Sequence, residues 1–143
     1  MFSLIVIPIL VTMVTQIIKL ITDGIPFNLT WQHLMADYGG MPSAHAAFVV
    51  SLLTLVGIRD GLDSTGFAIA FAVMIIVIRD AVGFRMEIGK NAVLTNTLAK
   101  EIFPANPEIQ VTERIGHTMS QVMAGLAVGI LLTLLMYYIT MLF

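Results

Sequence analysis

Two histidines, a serine and a small set of charges stand out against an apolar background in this chain. Ser43 and His45 sit two residues apart in Gly39-Gly40-Met41-Pro42-Ser43-Ala44-His45, at the mouth of a long uncharged run. A helix N-terminus presents unpaired N–H groups and partial positive charge, so this position suits an anion. Ser43 adds a hydroxyl, and His45 can give or take a proton near neutral pH. His117 opens another apolar run, in Glu113-Arg114-Ile115-Gly116-His117-Thr118, with Gln121 one turn on and able to hold its ring. Lys19 ends the first apolar run, and Arg79, Asp80 and Arg85 end the third. On a continuous helix Arg79, Gly83, Met86 and Lys90 share one face, and Asp80, Phe84, Glu87 and Asn91 share another. Cations backed by carboxylates are what a phosphate site needs, because phosphoryl transfer is mostly positioning and charge stabilisation.

Each of these residues also has a plainer role. Ser43 after Pro42 is a good helix cap. A lone Arg79 would snorkel to headgroups. An isolated histidine at a membrane edge is more often structural. The agreement of several placements weighs the other way, and it follows from the elements that must hold these residues.

Only 11% of the 143 residues are charged and 58% are hydrophobic. A soluble domain carries about 25% charged residues, so the chain belongs in a bilayer. There is no cysteine, hence no disulfide, thiolate metal site or cysteine nucleophile. No Asp, Glu or His spacing resembles a metal site, so the site reads as metal-free and without a cofactor. A net charge of −2 gives no reason to expect nucleic acid. The apolar N-terminus has no basic flank and reads as a retained helix, not a cleaved signal.

The pattern predicts an all-α fold, one domain over 1–143, built as an integral membrane bundle. Four main transmembrane helices are expected at about 1–20, 43–58, 64–84 and 116–142. A surface helix is expected at about 86–103, on the cytoplasmic side, with Pro104 and Pro107 ending it. Arg59-Asp60-Gly61-Leu62-Asp63-Ser64 is turn chemistry and predicts a hairpin between the second and third helices. The longer first connection carries Gly24, Pro26 and Asn28. Its Phe27, Trp31 and Tyr38 suit the membrane interface, and His33 receives no role.

Counting crossings puts Lys19, Arg79, Arg85, Lys90, Lys100 and Arg114 on one side and only Arg59 on the other. The positive-inside rule makes the richer side cytoplasmic, with both termini outside a multi-pass protein of the cell membrane. The same count brings Lys19, Ser43, His45, Arg79, Asp80, Arg85 and His117 to one membrane face. A single polar pocket rimmed by the four helices is therefore expected there.

These residues resemble a known family. Gly39 to His45 looks like the Pro-Ser-x-His signature of type 2 phosphatidic acid phosphatases, a superfamily that includes vanadium-dependent haloperoxidases. Arg79-Asp80-Ala81-Val82-Gly83-Phe84-Arg85, Gly89-Lys90-Asn91-Ala92 and Gly116-His117-Thr118 look like its divergent membrane branch, in the same order. The resemblance implies hydrolysis of a phosphate monoester through a phosphohistidine. It makes His45 the general acid, Ser43 a phosphate ligand and Lys19 the lysine of the first motif, although no Arg-Pro follows it. The family keeps a histidine six residues after the arginine of its third motif and an aspartate four further on. Arg85 and Gly89 hold those positions here. His117 is then the available nucleophile, with Asp80 or Glu113 orienting it. Arg79 and Arg85 are the expected phosphate ligands, and Lys90 and Gln121 are supporting residues.

The implied substrate is a phospholipid or polyprenyl phosphate whose chains stay among the membrane lipids. A second reading is a non-catalytic headgroup binder or lipid transport protein that uses the same pocket. A third is a small helical subunit forming a homo-oligomer through Gly125 and Gly129, a mid-membrane GxxxG pair better read as close helix packing than as a phosphate loop.

Overall fold

Buried stripes on the first and last helices turn toward one central helix. A computed structural model describes residues 2–22, 40–104, 110–113 and 115–142, with side chains from Leu4 onward. Expectations resting on Gly24, Pro26, Phe27, Asn28, Trp31, His33, Tyr38, Gly39, Pro107 and Arg114 lie outside these residues. Among the described residues five helices follow in order: α1 Phe2–Thr22, α2 Ala44–Asp60, α3 Thr65–Val82, α4 Phe84–Ile102 and α5 Met119–Leu142. Their regular structure is helical, as the all-α expectation has it.

In α1 the residues Ile7, Val11, Thr15 and Lys19 are buried, four apart and therefore on one face. In α5 the buried residues are Val122, Gly125, Gly129 and Thr133, again one face. α2 buries Ala44, Ala46, Ala47, Val49, Val50, Ser51, Leu55 and Val56, nearly all round, as a helix enclosed by others must. It packs against α1, α3 and α5. Large apolar side chains such as Ile5, Met13, Ile69, Ile76, Leu131 and Tyr138 point outward on the surrounding helices. Outward apolar faces over a small-residue interior are what a bilayer solvent selects.

The register between α2 and α5 is set by close contact. Gly125 lies against Ser43 and Ala46, and Gly129 against Ala47 and Val50. Further along, the Thr133 hydroxyl donates to the Gly129 carbonyl and lies 2.6 Å from the Ser51 hydroxyl. The contacts advance together, so α2 and α5 run parallel. Both glycines are thus occupied within the chain. That contact is the close helix packing the GxxxG pair was expected to serve.

α1 and α3 run against α2. At one end the Thr22 hydroxyl donates to the Met41 carbonyl. At the other, the predicted turn forms: Gly61 has φ +87, and Ser64 caps α3 by accepting from Phe67 N–H at 3.1 Å. Among the described residues three stretches are long and apolar enough to cross a membrane: Leu4–Thr22, Thr65–Ile102 and Met119–Leu142. α2, with 17 residues, is shorter, about 25 Å by the helical rise, and sits inside the others.

Two boundaries differ from expectation. The third helix stops at Val82, because Gly83 breaks it; a Cβ there would sit 2.7 Å from the Arg79 carbonyl oxygen. The last helix begins at Met119, not 116. Thr118 and Gln121 form a reciprocal cap, with Thr118 N–H donating to Gln121 Oε1 at 2.9 Å. Before that cap the described residues follow an irregular, non-helical path against α4, with Ile115 N–H donating to the Glu113 carbonyl at 2.9 Å.

Candidate functional site

Four contacts tie the helix ends together at the end of the bundle where α2 starts. Thr22 reaches Met41, as above. Ser43 N–H donates to the Gln121 carbonyl at 3.1 Å. His117 N–H donates to the Ala81 carbonyl at 3.0 Å. Arg85 Nε donates to Asp80 Oδ2 at 2.7 Å. The single polar end expected from counting crossings is therefore assembled.

A pocket of about 220 Å³ opens at this end, lined by His45, Ile76, Val77, Asp80, Ala81, Arg85 and His117. Its residues come from α2, α3, α4 and the segment before α5. Beneath it lies an apolar layer of Ala46, Ala81 and Val122 with Ile78, Val82 and Leu126. His45 is on the exposed rim, one residue into α2, whereas His117 is buried. The two histidines, 72 positions apart in sequence, thus face one cavity together with a guanidinium and a carboxylate. Ile76 and Val77 make the side toward the membrane interior apolar.

The segment that delivers His117 is built by glycine. Gly116 has φ +94, and a Cβ on it would sit 2.6 Å from Met86 N. A Cβ on Gly89 would sit 2.8 Å from the Ile115 carbonyl oxygen. Bare backbone at both positions lets Glu113, Ile115 and Gly116 lie directly on α4. At the far end Asn96, buried on α4, donates to the Val111 carbonyl and to Glu113 Oε1, each at 2.8 Å, and accepts from Val111 N–H at 2.9 Å.

Other expected site residues fall elsewhere. Ser43 is fully buried and does not line the cavity. Its Oγ accepts from Ala46 N–H at 3.4 Å, so it caps α2. Lys19 is buried on the inner stripe of α1, at the same end but outside the cavity wall. Arg79 is exposed, and its carbonyl accepts from Gly83 N–H. Lys90 is exposed and pairs with Glu87 at 2.6 Å. Glu113, expected near His117, is held by Asn96. Gln121 caps α5 and does not line the cavity. His117 is not helical. It lies two residues before α5, because its N–H is committed to Ala81. Sequence reasoning missed Asn96, Ile76 and Val77. The signal for Asn96 was the small-residue stripe Gly89 and Ala92, three and four residues apart on its face. Among the described residues no cluster of His, Asp and Glu is arranged to hold a metal ion.

The order and spacing of these residues match a known family model, described as "Divergent PAP2 family", over residues 2–132. The chain belongs to the divergent PAP2 family. An uncharacterized membrane protein of Bacillus subtilis (strain 168), YuiD, is 35% identical, with 80% of each chain covered. No solved structure matches. Membership in the divergent PAP2 family, the apolar helices and a membrane relative together identify this as a PAP2-related membrane protein.

Proposed function

We propose that the protein is a metal-independent membrane phosphatase acting on a lipid phosphate monoester. The observation that carries this is the shared cavity: His45 and His117 face it from separate elements, with Arg85 and Asp80 beside them. In the reaction, a His117 ring nitrogen attacks phosphorus. The bond from phosphorus to the alcohol oxygen breaks, and His45 protonates that oxygen as it leaves. His45 then takes a proton from water, whose oxygen attacks the phosphohistidine. Inorganic phosphate departs and His117 is restored. Arg85 offsets charge on the phosphoryl oxygens, turning to them from its partner Asp80. Ile76 and Val77 favour an amphiphile, whose chain lies against them while the phosphate reaches the polar rim; free phosphate has no use for that wall.

The membrane arrangement belongs to the same proposal. α2 makes a fourth crossing, enclosed by its neighbours. α4 lies in the cytoplasmic interface. Phe84, Ile88, Leu94, Leu98 and Ile102 are exposed along it, with Glu87, Lys90 and Asn91 exposed beside them. The apolar side chains enter the lipid and the lysine meets the headgroups.

Purified protein with phosphatidic acid in mixed micelles tests the reading. Phosphate release should be blocked by vanadate and unaffected by chelators. His45→Ala and His117→Ala should each lower it about 10²–10⁴-fold, the usual range for lost acid–base or nucleophilic groups. Unchanged release in either variant ends the proposal. The Arg85–Asp80 pair supports a second reading, a phosphate-binding or lipid-transport protein, because it puts a cation where the family places its nucleophile. Lipid-phosphate binding without turnover would decide for that reading.

A further inference from the structure

Residues 110–113 and 115–117 form a strap on helix α4, and Asn96 binds it. Three observations converge. Asn96 is 4% exposed on a helix whose other faces are open. Its amide engages both backbone polar groups of Val111, as a neighbouring strand would, and also the Glu113 carboxylate. From there the strap stays on α4 past Gly89 and turns over Arg85 and Met86 at Gly116. Arg85 rides on α4 and His117 on the strap, so the register between the two sets the distance between cation and histidine in the cavity.

We propose that Asn96 is a positioning residue for the site: it fixes the strap in register on α4 and so holds His117 against Arg85. It lies 11 residues from Arg85 along α4, about 16 Å by the helical rise, and acts only through the strap. The buried Asn96 amide takes both backbone polar groups of Val111, whose own side chain is exposed, and so anchors the strap from the α4 side. The Glu113 bond gives the clamp a charge preference. An acid at position 96 would face Glu113 and Val111 carbonyl oxygen with no proton to donate, and the strap would lift.

The role of His117 in this inference rests on the proposed site, so the test reads the strap and not turnover. Full-length protein in detergent is treated with diethyl pyrocarbonate, and the modification of each histidine is followed by mass spectrometry. In Asn96→Asp, His117 should react at least about tenfold faster as local opening exposes it, while His45 keeps its native rate. Adding Glu113→Gln should bring the His117 rate back below that of Asn96→Asp alone, because one carboxylate is gone. Val111→Pro removes the strap's N–H without touching α4, and should speed His117 modification in the same way should Asn96→Asp not fold. Unchanged His117 protection in the folded variants overturns the proposal, as does a rise of equal size at His45 and His117. A wild-type protein with no phosphatase activity but with this selective change would sink the phosphatase reading and leave the clamp standing.

Discussion

Replacing Gly129 by alanine tests the central helix contact. A Cβ at 129 would sit 2.5 Å from Val50 Cγ1 and 2.8 Å from both the Cα and the carbonyl oxygen of Ala47. Val50 can change rotamer, but Ala47 offers backbone, which cannot move without shifting α2. Alanine gains about 1 kcal/mol over glycine in a helix interior. Overpacking a close contact costs about 1–3 kcal/mol and more when backbone must move. The second effect wins here, giving a net loss of about 1–2 kcal/mol and a fall in the unfolding midpoint of about 2–8 °C for a chain of this size. Gly57→Ala is the control. Its nearest neighbours are side-chain atoms of Phe67 and Leu62 at 3.2–3.3 Å, and these can give. Its stability should stay within about 1 kcal/mol of the parent. Thermal unfolding in detergent, monitored by circular dichroism and by size-exclusion chromatography, separates the outcomes. If Gly129→Ala melts with the parent but changes the oligomeric state, the glycine face serves a second copy and the intramolecular packing described above is wrong.

Three further outcomes are expected. Thr133→Val keeps shape but removes the hydroxyl partner of Ser51, and should cost about 0.6 kcal/mol, at most about 1.7, in unfolding free energy in bilayer-like detergent; no change would mean the two hydroxyls do not meet. Asp80→Asn removes the carboxylate that competes with an anion for Arg85. The pair is partly exposed, at 28% and 43%, so its worth is about 0–1 kcal/mol and vanadate should bind up to about fivefold tighter, read by calorimetry; weaker binding would refute a competing role. The chain has no cysteine, so single cysteines at Asp63 and Lys100 report sidedness. An impermeant thiol reagent should label Asp63→Cys in intact cells and Lys100→Cys only after permeabilisation, and the reverse would invert the proposed orientation.

The gathering of charge at one end was legible in the sequence because it needs only the number of crossings, and apolar length supplies that. The helices and the α2–α3 turn were legible for the same reason. Ser43 and Gln121 were harder to read. Helix capping and phosphate binding draw on the same groups, and residue type alone does not say which partner is present. The structure commits Ser43 Oγ to Ala46 and Gln121 Oε1 to Thr118. The start of α5 was misplaced because Gly116-His117-Thr118 is compatible with a helix entry. What decides against it is an irregular segment held by tertiary bonds, and such a segment has no periodicity to detect. Asn96 was invisible for the matching reason: its partner Val111 lies 15 positions away across a break.

The break at Gly83 gives these pieces a common logic. Asp80 and Ala81 lie before it on α3, and Arg85 lies just after it on α4. Two bonds cross the break: Arg85 to Asp80, and His117 to the Ala81 carbonyl by way of the strap. Both end on groups that line the cavity. A straight helix through position 83 would carry Arg85 on along the α3 axis. The broken one leaves α4 joined to α3 through the site itself. An anion that draws Arg85 from Asp80 loosens one of these ties and leaves the other, because the backbone bond from His117 to Ala81 uses no charged group. The histidine is therefore held independently of the guanidinium's partner. That arrangement lets the cation follow the ligand while the proposed nucleophile stays in place.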